Sequence, residues 1–272
     1  ETLEIVLEDA VSAVRVRLLY SVLEKEDIIT RSAEIINGGT EKVIVEKAAS
    51  ACLDFLTDGY DLICFCGRHS MERNFQRREI ARGNCIIGSR RGTSSHQYNP
   101  AVIVARQGTT EDMGSCYGMM FVYSGNFMCE AEQDQFGQTR VMMGLQSDLF
   151  HYPLEQGEKL VVPETVLCYS DEGYGKLSRQ YHRCIREHIC RGTYSHKIRP
   201  VLLNSWEAMY FDLDGEKIYK LAKEAAALGI DMVVMDDGWF GKREDDNSGL
   251  GDWQVNEEKL GCSLGELIEK IN

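Results

Sequence analysis

Two short apolar runs, each ending abruptly in a polar-aromatic cluster, restrict the fold of this chain more than any other feature. Residues 201–203 follow Pro200 and lead into Asn204-Ser205-Trp206-Glu207, while the β-branched-rich run 230–235 leads into Asp236-Asp237-Gly238-Trp239. Continuous apolar runs of this length read as strands covered on both faces in a parallel sheet. The segment between them reads as a helix. Asp214 suits an N-cap, Ile218, Leu221, Ala222, Ala225 and Leu228 recur at helical spacing, and Gly229 suits the left-handed position that ends a helix. A β-α-β unit with polar strand ends fits an eight-fold βα barrel or an open doubly wound sheet, both of which bind ligands at those ends. No glycine-rich phosphate loop follows the first strand, so nucleotide binding loses its main support.

The strand-end residues suit a sugar. An indole packs on the apolar face of a pyranose, and carboxylate oxygens accept hydrogen bonds from vicinal hydroxyls. A single Asp-Asp-Gly is often only a turn and a single Trp only core, but two such clusters at successive strand ends favour a binding site. Asp236 and Asp237 are recognition groups rather than a catalytic pair, because working carboxyls of a retaining glycosidase stand about 5 Å apart on opposite sides of the scissile bond. Neighbours at one strand end do not straddle a ring in that way. The cluster Arg243-Glu244-Asp245-Asp246 reads as solvated surface, and Trp253 as packing.

Upstream, residues 1–192 read as a β-sandwich domain. Leu3, Ile5 and Leu7 alternate, as do Val14, Val16 and Leu18; Asn37-Gly38-Gly39 turns the chain toward residues 43–45, and further strands are predicted at 62–66, 117–123, 139–143 and 161–169. A polar loop is expected at residues 66–74, and Ser94-Ser95-His96-Gln97 reads as a structural turn. Residues 171–191 read as a linking helix with Leu177, Tyr181, Cys184, Ile185, His188 and Ile189 on one face. Residues 193–272 then form a second domain, whose last helix opens with a capping box at Ser263 and Glu266.

Composition narrows the partners. With 43 acidic against 30 basic residues and no basic stripe, a nucleic-acid surface is not expected. No run is long enough to span a membrane, and the first residues alternate like a strand instead of forming a signal peptide. Ten cysteines without a Cys-x-x-Cys pattern read as free thiols of a reducing cytoplasm, and six histidines form no metal-binding spacing.

The strings NSWEAMYFD, MDDGWFGKREDD and LGDWQVN resemble the bacterial α-galactosidases of glycoside hydrolase family 36. RRGTSSHQYNP, VYSGNF, DQFGQTR and the segment around Tyr169-Ser170-Asp171-Glu172-Gly173 resemble the same family in the same order. The resemblance implies a β-sandwich followed by the first two βα units of a (β/α)8 TIM barrel, with the first part of the sandwich and most of the barrel missing. It implies Trp206 as a wall of the galactose pocket and Asp236 and Asp237 as holders of galactose hydroxyls. His69 matches a position where relatives can carry a substrate-approaching Trp. The resemblance also implies retaining hydrolysis of terminal α-galactosides such as melibiose or raffinose, without metal or organic cofactor, in a homotetramer. The family's nucleophile lies in a Lys-Trp-Asp motif and its acid/base further on, so both catalytic carboxylates are expected beyond Asn272. A non-catalytic galactoside-binding module and a non-functional gene fragment are the competing expectations.

Overall fold

A computed structural model describes residues 2–272, which divide into two compact units, residues 2–191 and 192–272. The first unit opens with β1 (Thr2–Glu8), β2 (Val14–Leu23), β3 (Ile28–Asn37), β4 (Val43–Val45) and β5 (Ala49–Phe55). It continues through β6 (Tyr60–Arg68), β7 (Met71–Glu79), β8 (Gly83–Gly88), β9 (Tyr98–Arg106), β10 (Cys116–Phe121) and β11 (Phe127–Gln133). β12 (Thr139–Leu145), β13 (Tyr152–Leu154), β14 (Lys159–Ser170) and helix α1 (Gly173–Cys184) complete it.

Eight of these strands form one antiparallel sheet in the order β1-β2-β3-β14-β10-β9-β6-β7, faced by the three-stranded sheet β11-β12-β5. Between the two sheets, Leu62, Val104, Met119, Phe121 and Val162 of the large sheet meet Ala51, Phe127, Cys129, Val141 and Met143 of the small one. Strand alternation sends the intervening residues Ile63, Ile103, Ala105, Cys116 and Val166 to the opposite face, where Leu177 and Cys184 of α1 cover them. Cover on both faces explains why β6 reads as a continuous apolar run and not as an alternating one. Gly118 permits the helix to sit this close. A Cβ there would stand 2.4 Å from the Tyr181 hydroxyl oxygen, which donates to the Val166 carbonyl at 3.1 Å.

Buried polar groups tie distant segments together. Asn37, fully buried, donates from Nδ2 to the carbonyls of Glu41 and Leu154 at 2.8 and 2.9 Å and accepts the Gly39 N–H at 3.0 Å. Ser50 and Thr165 share a hydroxyl-hydroxyl bond of 2.7 Å between the two sheets.

Two expectations need correction. The stretch 66–74 is not a loop: β6 runs directly into β7 through a two-residue turn at His69 and Ser70, with Arg68 paired to Met71 and Ser70 at φ +61°. Charged residues such as Arg73, Arg77 and Arg78 hid β7, whose residues are exposed throughout. The linking helix ends as α-helix at Cys184 and continues as a π turn, Ile185–Ile189, closed by the Cys190 N–H on the Ile185 carbonyl at 2.7 Å. The wider turn rotates the helix face, so His188 and Ile189 are exposed instead of buried with Leu177. The strand expected from the alternation of Leu3, Ile5 and Leu7 is present as β1, exposed on both faces with Leu3 at 60 %.

The second unit contains β15 (Leu202–Asn204), the single turn α2 (Trp206–Met209), α3 (Gly215–Ala227), β16 (Met232–Val234), α4 (Glu257–Leu260) and α5 (Leu264–Ile271). β15 and β16 pair in parallel, with Leu202 opposite Met232 and Asn204 opposite Val234. The crossover helix α3 starts where Asp214 accepts the Lys217 N–H and is followed by Gly229 at φ +79°. Ile218, Ala222 and Ala225 are buried, whereas Leu228 lies past the last helical residue and is exposed. Ser263 and Glu266 form the reciprocal capping box of α5. Leu213, Ile218, Leu260 and Leu267 make this unit's core. β15 is shifted one residue past its apolar run and β16 is shorter than its own, and Leu202 and Met232 stay open, because two strands with their helices cannot cover both faces of the pair.

Candidate functional site

The parallel register brings the carboxyl ends of β15 and β16 side by side, so that the two polar clusters become one surface. Asn204 bridges them. Its Nδ2 donates to Asp236 Oδ2 at 2.6 Å, and its Oδ1 accepts the Trp206 N–H at 2.8 Å. Beneath them, fully buried Ser205 donates its N–H to the Val234 carbonyl at 3.0 Å and accepts the Asp236 N–H on Oγ at 3.1 Å. The chain leaves α2 through Tyr210, a non-glycine residue at φ +46°. The Trp206 ring is half-buried, edge-on to Tyr210 at 5.2 Å and to Phe211 at 4.9 Å.

The two aspartates are held differently. Asp236 Oδ1 accepts the Asp237 N–H at 2.7 Å, and its Oδ2 accepts from Asn204. Asp237 Oδ1 takes both the Gly238 N–H at 2.8 Å and Arg243 Nε at 2.5 Å. The Arg243 guanidinium holds the Asp237 carboxyl below the usual carboxylate range, against the opposing effect of its partial burial. Among the described residues, Asp237 Oδ2 accepts no hydrogen bond. Gly238, at φ +93°, turns the chain away directly after the pair; a Cβ there would lie 3.2 Å from Phe211 Cδ1.

Beyond this turn the chain forms a closed loop. Phe240 bridges to Val255, the Gly241 N–H donates to the Gln254 carbonyl, and Asn256 Nδ2 donates to the Gly241 carbonyl. Arg243 corrects the expectation of a solvated charge cluster: it is buried, while Glu244, Asp245 and Asp246 beside it are exposed. In sequence Arg243 stands between Lys242 and three acids, and nothing there distinguishes it from the neighbouring cation. Trp253 packs on Phe240 at 4.5 Å and remains 61 % exposed. A cleft of about 970 Å³ in this unit is lined by residues including Lys242, Glu244, Asp245 and Asn256, not by the aspartate pair. The structure thus unites Trp206, Asp236 and Asp237 on one surface. His69 belongs to the other unit, exposed at the β6–β7 turn.

Ten free cysteines include Cys116 and Cys168, whose thiols burial pushes up to about 11 and about 12. Among the described residues, no group of three or more His, Cys, Asp or Glu side chains is arranged to hold a metal ion.

Comparison with known proteins then supplies the family. Residues 1–155 match the glycosyl hydrolase family 36 N-terminal domain, and residues 160–272 match the melibiase family. The chain belongs to glycosyl hydrolase family 36. It is 64 % identical over 272 residues to a bifunctional alpha-galactosidase/sucrose kinase of Mediterraneibacter gnavus, covering 100 % of this chain and 29 % of that protein. It is 46 % identical over 272 residues to an alpha-galactosidase of Geobacillus stearothermophilus, covering 100 % of this chain and 37 % of that one. A solved structure of the Geobacillus alpha-galactosidase in complex with stachyose matches with a TM-score of 0.94 at 45 % identity, over 100 % of this chain and 38 % of that one. The family 36 chain therefore spans about a third of the length of the curated relatives it matches.

Proposed function

We propose that residues 1–272 carry the galactose-recognition face of an α-galactosidase that hydrolyses terminal, non-reducing α-galactosides of the melibiose and raffinose type with retention of configuration. The observation that carries this reading is the joining of Trp206, Asp236 and Asp237 on one surface at the ends of a parallel strand pair. An indole face and two carboxylates are what a galactose ring needs, with its apolar face against Trp206 and its hydroxyls donating to the aspartates. Asp236 and Asp237 bind and do not cleave, since they are neighbours held by their own backbone. The nucleophile and the acid/base belong to other parts of the full-length protein, in a completed (β/α)8 barrel, and the reaction uses no metal or organic cofactor. His69 approaches the sugar in the same proposal. Relatives described as alpha-galactosidases, with solved stachyose and raffinose complexes, support the substrate class. We extend the proposal to a cytoplasmic homotetramer, supported by the family resemblance and by single thiols such as Cys116 and Cys168.

The test compares two proteins, residues 1–272 alone and the full-length protein, assayed with an activated aryl α-galactoside after removal of host enzyme. Turnover is expected only from the full-length protein. Turnover by a folded, monodisperse 1–272 protein would refute the placement of the catalytic carboxylates. A full-length protein that binds galactose without turnover would establish a binding module instead.

A further inference from the structure

Arg243 is the one buried member of an otherwise solvated charge cluster, and it contacts Asp237 directly. Its Nε donates to Asp237 Oδ1 at 2.5 Å, its Nη1 donates to the Ser248 carbonyl, and its guanidinium lies over the Phe211 ring, 5.6 Å from the centroid. The Arg243 carbonyl accepts from Lys259 Nζ at 3.2 Å, which anchors the loop to α4. The three side-chain contacts engage Nε, Nη1 and the guanidinium face, so the Nε–H vector has little freedom. A flexible surface pair does not behave in this way.

The geometry at Asp237 is asymmetric. Both donors, Arg243 Nε and the Gly238 N–H, act on Oδ1, which sets the carboxylate rotamer and leaves Oδ2 unoccupied by any described residue. We infer that Arg243 is a positioning residue for substrate recognition: by holding Asp237 through Oδ1, it presents Oδ2 in one orientation to a galactose hydroxyl. This inference rests on the reading of Asp237 as a sugar-binding group. The loop that carries Arg243 thereby acts on affinity without touching the sugar. Arg243 also favours the ionised form of Asp237, so its removal moves Asp237 protonation toward the ordinary carboxylate range.

The experiment uses the full-length protein with Arg243→Gln, Arg243→Lys, Asp237→Asn and the double variant Arg243→Gln/Asp237→Asn. Galactose affinity is measured by calorimetry across acid to neutral pH, beside the Tm of each protein. Arg243→Gln is expected to weaken galactose binding about tenfold to a hundredfold. Its acid limit should move to higher pH. Arg243→Lys keeps the charge but not the fixed Nε–H, and an intermediate loss of about threefold to tenfold is expected. The double variant should bind within about twofold of Asp237→Asn, because Arg243 acts through that carboxylate. Additive losses, or an Arg243→Gln protein with wild-type affinity and an unmoved acid limit, would overturn the inference. If Arg243→Gln fails to fold, Arg243→Lys decides: wild-type galactose affinity in that folded variant overturns the inference equally. Asp237→Asn at wild-type affinity would instead remove the sugar-binding reading itself, an outcome distinct from a failure at Arg243 alone.

Discussion

Replacing Asn204 with alanine isolates the link between the two strand ends. Asn204 touches Asp236 with one end of its amide and the Trp206 backbone with the other, at 2.6 and 2.8 Å. Its side chain is exposed, so water takes over both partners in the variant and no buried group is left unsatisfied. The fold should therefore lose less than ~1 kcal/mol. Galactose binding should lose more. Without its Asn204 donor, the Asp236 carboxylate keeps only the Asp237 N–H on Oδ1, and re-ordering the loosened side chain on binding costs about 0.5–1.5 kcal/mol. Loss of the tie to the Trp206 N–H adds about 0.5 kcal/mol, the low end for a neutral bond at an exposed site. Together these give about 1–2 kcal/mol, a galactose Kd raised roughly fivefold to thirtyfold in the full-length protein. Asn204→Asp should be worse than alanine, because it sets a second carboxylate against Asp236. Titration calorimetry with galactose, beside a thermal melt, measures both quantities. Binding by Asn204→Ala within twofold of wild type, or a loss matched by unfolding, would refute the idea that Asn204 organises the site.

Trp206→Ala should weaken galactose by at least tenfold in the full-length protein while Trp253→Ala, which alters an exposed ring on Phe240, leaves binding within about threefold; equal effects would return Trp206 to a packing role. Asn37→Ala removes three hydrogen bonds at a fully buried position. Denaturant unfolding of the first unit's signal should show a loss of about 2–4 kcal/mol, and a change under 0.5 kcal/mol would contradict the role given to this side chain.

Much of this architecture was legible because it is written in local chemistry. Asp214, Gly229, Ser263 and Glu266 mark helix ends through their own backbone bonds, and those ends stand where the residues announced them. The runs leading to Asn204 and Asp236 were legible for a similar reason, since a continuous apolar stretch before a polar cluster is how a strand delivers side chains to a sheet end. Other features depend on partners remote in sequence. Nothing in Met71–Glu79 alternates, because β7 has no buried face and owes its form to pairing with β6. The π turn after Cys184 shifts His188 and Ile189 by a backbone choice that side-chain periodicity does not encode. Arg243 was read as solvent-facing because its neighbours Glu244, Asp245 and Asp246 are; its burial follows from the fold-back of the loop at Phe240 and Val255. Asn204 and Ser205 stood in plain view beside Trp206, but their bonds to Asp236 depend on the parallel register, which no single strand reveals.

The recognition role of the aspartate pair is tested most directly by galactose titration of the full-length protein and its Asp236→Asn and Asp237→Asn variants at neutral pH. Each substitution keeps the side-chain shape while removing a charged acceptor, so each should weaken galactose by about 1.5–3 kcal/mol, more than tenfold, with the fold retained. Wild-type affinity in both variants would contradict the placement of galactose at Asp236 and Asp237.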